Sequence, residues 1–176
     1  ARFGVPCTHR GKVRDTSPLN DTLLAVVATD RVSAHDFVLG TIIPHKGEIL
    51  TALTVFWLTK VLPKDIRHHL VAFGSDIDQY LPFGLRTSRE LRESGGLRDI
   101  FSRTLIVRRL NMVPVECVAR GYLMGSGWKA YQKDGRVCGH ALPNGLTHGA
   151  MLPHPIFTPT TKAEVGHDEH MDAEEV

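Results

Sequence analysis

Hydrophobic and polar positions along the chain form segments that predict both strands and helices. Residues 22–33 (TLLAVVATDRVS) are rich in β-branched and aliphatic residues, which predicts a buried strand running into a polar turn. From Gly47 onward, apolar residues recur at steps of three and four, which predicts an amphipathic helix that ends before Pro63. The residues with this spacing are Ile49, Leu50, Leu53, Trp57 and Val61.

Residues 74–123 contain one predicted connecting segment followed by two predicted strands. Residues 74–99 mix Gly, Ser, Pro and charges, so we expect connections with at most one helical turn. Residues 103–110 (RTLIVRRL) predict a strand, and residues 112–123 (MVPVECVARGYL) predict another. Pro114 cannot donate a backbone hydrogen bond, so the second strand should begin at an edge or at a crossing point between lobes.

The last third of the chain predicts one helix and a long loop. Residues 126–135 suit a short helix closed by glycine. Residues 139–161 contain four prolines, which predicts an ordered loop. Strands that precede a helix and are followed by more strands favour an α+β fold with antiparallel pairing.

Composition narrows the class of protein. The 176 residues are 42% hydrophobic and 23% charged, with a net charge of +2, as in an ordinary globular protein and too weakly basic to indicate nucleic acid. The longest apolar run, LLAVVA, is far shorter than the roughly 20 residues that span a membrane. Three cysteines without a CxxC pair argue against a disulfide scaffold or a structural zinc site, so we expect a cytoplasmic protein with reduced thiols.

Two stretches with candidate chemistry lie near the first predicted strand. In RGKVRD, Gly11 permits close backbone approach and Lys12 can meet phosphate oxygens, although the stretch lacks a full Walker pattern. In ATDRVSAHD, Ser33 can donate to a polar ligand and Asp36 can hold an amine. A solvated charged turn and a turn capped by its own side chains remain alternatives for the two stretches.

Two further stretches follow the later predicted strands. In ECVARGYLMGSGWK, Glu116 and Arg120 share one face of the predicted strand, and the glycines that follow permit approach to an anion. A salt-bridged strand end is the alternative. PIFTPTTKAEVGHDEH carries several metal-ligand types, but HDEH is not the HExxH pattern, and a solvated polar loop is the more common interpretation.

In this order, five stretches closely resemble the phosphoribosylaminoimidazole-succinocarboxamide synthases, or SAICAR synthetases. They are RGKVRD, ATDRVSAHD, IPHKGEILTALTVFWL, MVPVECVARGYLMGSGWKAY and LPHPIFTPTTKAEVGHDE, and the resemblance extends from residue 10 to residue 169. The resemblance implies a first lobe, residues 1–111, whose antiparallel sheet and helix are like the small lobe of a protein kinase. Residues 112–176 would begin a second, ATP-grasp-like lobe.

The resemblance also implies site residues, although it identifies no catalytic residue. For ATP it implies a phosphate loop, an interlobe hinge and a ribose contact, at Gly11, Lys12, Val13, Arg109, Met112, Glu116 and Lys162. For the carboxylate-bearing substrates it implies Ser33, Asp36, Arg120, Ser126 and Asp168. Family members are normally longer, and the part after the GHDE segment carries the carboxylates thought to hold magnesium, so we expect no metal site in this chain and no ligase activity from the 176 residues alone.

The implied activity joins L-aspartate to carboxyaminoimidazole ribotide, using ATP and Mg²⁺, in purine biosynthesis. The ribotide carboxylate is phosphorylated, and the aspartate amine then attacks the acyl phosphate. A kinase-like phosphotransferase and a degenerate nucleotide-binding module are the alternatives, although HRD and DFG motifs are absent from these residues. The expected partners are therefore small molecules, with no nucleic acid or membrane, and the oligomeric state is left open.

Overall fold

A five-stranded antiparallel sheet forms the centre of the first of two units, which comprise residues 1–111 and 112–176. The computed structural model describes residues 7–34, 37–83, 88–161 and 171–176. The strand order is β1-β2-β3-β7-β6. These strands are β1 (His9–Arg10), β2 (Arg14–Pro18), β3 (Leu23–Ala28), β6 (Leu70–Phe73) and β7 (Thr104–Arg108). The predicted strands at 22–33 and 103–110 and the predicted antiparallel α+β class are confirmed.

A hairpin and several helices complete the first unit. The hairpin pairs β4 (Arg31–Ala34) with β5 (Phe37–Ile42). The helices are α1 (Lys46–Phe56), a π-helical turn (Trp57–Val61), a 3₁₀ helix (Gly74–Tyr80), α2 (Arg89–Glu93) and α3 (Gly96–Arg103). The prediction of connections with at most one helical turn over residues 74–99 is therefore wrong, because three helices lie in or begin within this range. Helix α3 buries Leu97 and Ile100 against the sheet, in one core with Ala25 and Ile106.

Helix α1 has the predicted extent but turns a different face inward. The helix and its π-helical turn end at Val61, before Pro63, as predicted. The predicted apolar stripe, however, is exposed in this chain, and the buried positions are Gly47 and Thr51. Small residues let the helix approach strand β3 and helix α3 closely, so the larger apolar residues lie on the opposite side.

An ionic network around the buried Arg103 joins helices α1 and α3 to the end of strand β3. The Arg103 guanidinium donates to Asp30 Oδ1 at 3.1 Å, to Glu48 Oε1 at 3.1 Å and to Asp99 Oδ1 at 2.6 Å. Asp30 Oδ1 also accepts from the Gly47 N–H at 2.9 Å, so it caps the start of α1. A Cβ on Gly47 would lie 2.4 Å from the Ala28 carbonyl oxygen, so only glycine fits there without a backbone shift.

The network predicts a specific loss of stability in acid. Burial alone would raise the pKa of Asp30, but the Gly47 N–H and the Arg103 guanidinium outweigh it and hold the pKa below the ordinary 3.8. Because the native pKa is the lower one, the stabilisation by Asp30 is complete above about pH 5 and is lost as the pH falls through that native pKa. We expect Asp30→Asn to flatten the acid limb of a melting-temperature profile, with Asp21→Asn as the surface control. An unchanged acid limb would contradict this role.

Among the described residues, the second unit contains three two-stranded antiparallel ladders, one α-helix and a short 3₁₀ helix (Ala173–Glu175). The pairs are β8 (Val115–Glu116) with β13 (Thr160–Thr161), β9 (Ala119–Tyr122) with β12 (Met151–Phe157), and β10 (Arg136–Val137) with β11 (His140–Ala141). Helix α4 (Gly125–Asp134) closes on Gly135 at φ 76°, as predicted. Helix and ladders share a core that includes Leu123, Val137 and Leu152.

Two predictions for the second unit are wrong. The single strand expected over residues 112–123 is two strands in different ladders, because pairing passes from β13 to β12 between Glu116 and Ala119. The loop expected over residues 139–161 contains strand β12, although Pro153 and Pro155 lie within it. The register of β12 against β9 shifts between Met151 and Ile156, so both prolines lie where the regular ladder is interrupted.

Two further findings concern membrane-spanning helices and the cysteines. No helix in the described ranges is both long enough and apolar enough to cross a bilayer. The three cysteines all lie within the described residues and none is in a disulfide. Cys7 and Cys117 are exposed and Cys138 is buried, and burial raises the pKa of the Cys138 thiol.

Candidate functional site

The predicted phosphate loop is a tight hairpin at the edge of the sheet. Strands β1 and β2 pair up to Arg10 and Asp15, and the Gly11 N–H donates to the Arg14 carbonyl at 2.8 Å. A Cβ on Gly11 would lie 2.8 Å from that same carbonyl oxygen, so a side chain there would open the turn. Lys12 is exposed at the tip. Glycine is thus required by the close approach of two backbone segments.

The carbonyl oxygens of three successive loop residues are held by one segment that follows strand β3. Arg31 donates from Nη2 to the Gly11 oxygen at 2.9 Å and from Nε to the Lys12 oxygen at 3.0 Å. Thr29 donates to the Val13 oxygen from its N–H at 3.0 Å and from its hydroxyl at 2.8 Å. The two motifs RGKVRD and ATDRVSAHD are therefore parts of one assembly.

The polar residues of ATDRVSAHD divide into different roles. Asp30 belongs to the Arg103 network, and Arg31 is fixed by Asp15 through contacts of 2.5 and 3.3 Å. Ser33 lies in strand β4, opposite Val38, and is partly buried. Asp36 lies outside the described residues, so its predicted juxtaposition with Ser33 stays a prediction.

A cavity of about 420 Å³ lies against one face of the sheet in the first unit. It is lined by alternate residues of β2 and β3 and by Arg10, Arg31 and Arg103, while Gly11, Lys12 and Val13 do not line it. The buried Thr104 hydroxyl, which also lines it, has no hydrogen-bond partner within the described ranges. A cavity of this size can hold water that satisfies such a hydroxyl.

In the second unit, the structure brings Arg120 and Ser126 together. The Arg120 guanidinium donates from Nε to the Thr158 hydroxyl at 2.9 Å and from Nη2 to the Ser126 hydroxyl at 3.0 Å. Gly127 provides the space, because a Cβ there would lie 3.3 Å from Arg120 Cδ and 3.4 Å from Nε. Ser126 is in the first turn of helix α4, where backbone N–H groups favour anions.

Thr158 is the residue that sequence reasoning missed at this site. It is fully buried, and its N–H and hydroxyl both donate to the Val118 carbonyl, at 2.8 and 3.1 Å. The hydroxyl oxygen is therefore fixed as an acceptor for Arg120. It follows strand β12, which sequence patterns placed in a loop, and a single threonine there carries no recognisable signal.

The remaining predicted site residues belong neither to the loop held by Arg31 nor to the cluster around Arg120. Glu116 is exposed in strand β8 opposite Thr160, and no ion pair joins it to Arg120 within the part of the chain that the structure describes, so the salt-bridge alternative is wrong. The backbone N–H of Arg109, just after β7, donates to the Thr22 carbonyl at 2.7 Å. Met112, which begins the second unit, is 78% exposed. Lys162 and Asp168 lie outside the described residues.

Metal-binding residue types do not cluster in the described ranges, where no group of three or more His, Cys, Asp or Glu side chains can hold an ion. The HDEH segment is not among those residues. Whether the HDEH segment binds a metal ion can therefore be judged from sequence alone.

A sequence profile of the family described as SAICAR synthetase matches residues 7–176. A phosphoribosylaminoimidazole-succinocarboxamide synthase of Thermodesulfovibrio yellowstonii is 50% identical over 173 residues, which cover 98% of this chain and 54% of that protein. One from Saccharopolyspora erythraea is 48% identical over 172 residues, covering 97% and 52%. The chain thus spans about half the length of the curated relatives it matches.

The fold has solved counterparts as well. The SAICAR-synthase of Saccharomyces cerevisiae, whose structure is complexed with SAICAR, superposes with a TM-score of 0.81 and 39% identity. The superposition covers 97% of this chain and 54% of the yeast chain. The match therefore includes both units described above.

Proposed function

Since this chain belongs to the SAICAR synthetase family, we propose that it forms the nucleotide- and ribotide-binding part of an ATP-dependent ligase. The ligase joins L-aspartate to carboxyaminoimidazole ribotide and gives SAICAR in purine biosynthesis. ATP, held with Mg²⁺, supplies the phosphoryl group that activates the ribotide carboxylate. The yeast relative bears SAICAR in its solved structure, which supports the choice of ribotide.

The observation that carries the proposal is the Arg120 guanidinium held beside the first turn of helix α4. A guanidinium has five N–H donors, and three of them are directed at Thr158, Ser126 and, at 3.5 Å, the Met124 carbonyl. Among the described residues, the other two donors have no acceptor, and they can meet a phosphate or carboxylate in parallel. The Ser126 hydroxyl, which accepts from Arg120, has its own proton to donate to the same anion.

The loop of the first unit has a complementary role. Lys12 offers a positive charge at the tip of a hairpin whose carbonyl oxygens are engaged from behind by Thr29 and Arg31. Such a loop presents cationic and N–H groups rather than oxygens to a polyphosphate, as phosphate transfer requires. We assign Gly11, Lys12 and Val13 to the ATP phosphates on this basis.

The ligase proposal can be tested in a chimera in which residues 7–176 replace the matching part of the Thermodesulfovibrio yellowstonii relative. ADP release that needs both the ribotide and L-aspartate, with SAICAR formed at the same rate, is the expected result. The unmodified relative is the positive control. ADP release that needs the ribotide but not L-aspartate would favour the phosphotransferase alternative, with the phosphoryl group transferred to the ribotide. A folded chimera with no ADP release would favour the degenerate module.

Replacement of Lys12 tests the nucleotide assignment within this chimera. Lys12→Ala removes one charge-assisted contact, worth about 1.5–3 kcal/mol, so we expect ATP affinity to fall roughly tenfold to a hundredfold with little change for L-aspartate. Titration calorimetry with ATP measures the change, and Lys46→Ala, at the start of helix α1, is the matched control. If ATP affinity is unchanged, the loop is a solvated charged turn and the nucleotide assignment is wrong.

Neither alternative function is favoured by a particular feature of the described residues. The family match covers residues 7–176, and the hydrogen bond from Arg120 to Ser126 supports the ligase proposal over a degenerate module. A cytoplasmic location and the identity of the metal carboxylates remain predictions.

A further inference from the structure

We propose that Arg31 is a positioning residue, which turns the N–H groups of Lys12 and Val13 towards the phosphates of a nucleoside polyphosphate. The inference rests on the proposed nucleotide role of the loop and deepens it. Arg31 itself need not touch the ligand. It acts through the two loop carbonyl oxygens to which it donates.

The orientation of the loop N–H groups follows from peptide geometry. A trans peptide is planar, and its carbonyl and N–H point in opposite directions. The Gly11 carbonyl shares a peptide with the Lys12 N–H, and the Lys12 carbonyl shares one with the Val13 N–H. Because both carbonyl oxygens point to Arg31, both N–H groups point to the side away from it. Two successive N–H donors on one side form an anion-binding concavity.

Asp15 makes Arg31 rigid enough for this task. Its two carboxylate oxygens accept from Nη1 at 3.3 Å and from Nη2 at 2.5 Å, and both side chains are largely shielded from water. The same guanidinium then reaches Gly11 from Nη2 and Lys12 from Nε. A lysine has a single nitrogen without the planar fork, and it cannot keep Asp15 and both carbonyls in place together.

Thr29 limits the movement of the loop to the part that Arg31 controls. It holds the Val13 carbonyl through two donors, so the end of the loop stays attached to strand β3 without Arg31. Loss of Arg31 would therefore release the peptides 11–12 and 12–13, while strands β2 and β3 keep their pairing, which begins at Arg14 opposite Ala28. The expected effect is local to polyphosphate binding.

The test compares Arg31→Lys with Arg89→Lys in the chimera. Arg89 pairs with Glu93 at 2.6 Å on the surface and is the matched arginine control. We expect Arg31→Lys to raise the KM for ATP at least about tenfold, with the KM for L-aspartate and the melting temperature nearly unchanged. In the unmodified chimera, ATP should slow amide hydrogen exchange at Lys12 and Val13, and this protection should be smaller in Arg31→Lys. Asp15→Asn should move both readouts in the same direction by less, and it carries the test if Arg31→Lys does not fold.

The outcomes separate this inference from the proposed function. If the unmodified chimera does not use ATP, the proposed function is wrong, and so is the assignment of ATP phosphates to the loop. A chimera that uses ATP with an unchanged KM in Arg31→Lys overturns the positioning role alone. A lower kcat and a lower melting temperature, without a selective rise in the KM for ATP, would also overturn it. That pattern is expected of a residue that only stabilises the fold.

Discussion

Replacement of Arg103 by methionine is expected to destabilise the chain by about 3 kcal/mol, because it leaves the Asp30 carboxylate buried without its cation. Breaking a buried ion pair typically costs about 3–5 kcal/mol, and we take the lower end because Asp99 and Glu48 retain contact with water. With a total stability on the order of 5–15 kcal/mol, this single change removes a large part of it. Urea unfolding followed by circular dichroism measures the loss.

Arg89→Met is the matched control for this prediction. The Arg89 side chain is 89% exposed, against 6% for Arg103, and its pair with Glu93 should contribute nothing measurable. The double variant Asp30→Asn with Arg103→Met should lose less than the sum of the single variants, since the unpaired charge is gone. Equal losses in Arg103→Met and Arg89→Met would show that the network has no net stabilising effect.

The largest functional effect is expected from Arg120→Lys in the chimera. Lysine keeps the charge but cannot give parallel hydrogen bonds to an anion while also reaching the Thr158 and Ser126 hydroxyls. We expect ribotide affinity to fall roughly tenfold to a hundredfold, corresponding to about 1.5–3 kcal/mol, and turnover to fall with it. ATP affinity should barely change. Ribotide titration by calorimetry beside a melting-temperature measurement tests both statements.

Arg136→Lys is the appropriate control for Arg120. Arg136 belongs to the same unit, is exposed, and donates to the Gly139 carbonyl at 2.6 Å. Its replacement should leave ribotide affinity unchanged. If Arg120→Lys lowers the melting temperature but retains ribotide affinity, Arg120 is a structural link between β9 and β12, and the ribotide assignment is wrong.

The elements that sequence patterns predicted correctly are those whose cause is local. Strand β3 follows from its run of aliphatic residues, and helix α4 follows from a polar helix segment ended by Gly135. Helix α3 was missed because its buried positions, spaced by three, lie among charged residues that resemble a loop. Strand β12 was missed because its prolines are tolerated only where the ladder shifts, which depends on its partner strand.

The residues of the candidate site also differ in whether sequence alone could identify them. Gly11, Lys12 and Arg120 could be selected from residue type and spacing, since glycine and basic residues beside strands are typical of anion sites. The roles of Arg31 and Thr158 could not, because each depends on a partner about 20 or 38 residues away in sequence. Sequence spacing cannot show that two motifs are hydrogen-bonded to each other.

The order of strands in the first sheet has a consequence for the nascent chain. Strands β1, β2 and β3 pair with their sequence neighbours, so the hairpin loop and its arginine can assemble once residue 31 has left the ribosome. Strand β3 then waits for β7, about 80 residues later. At 5–20 residues per second this interval lasts roughly 4–16 s. During that time LLAVVA, the longest apolar run, has an unpaired strand edge that can pair with another chain.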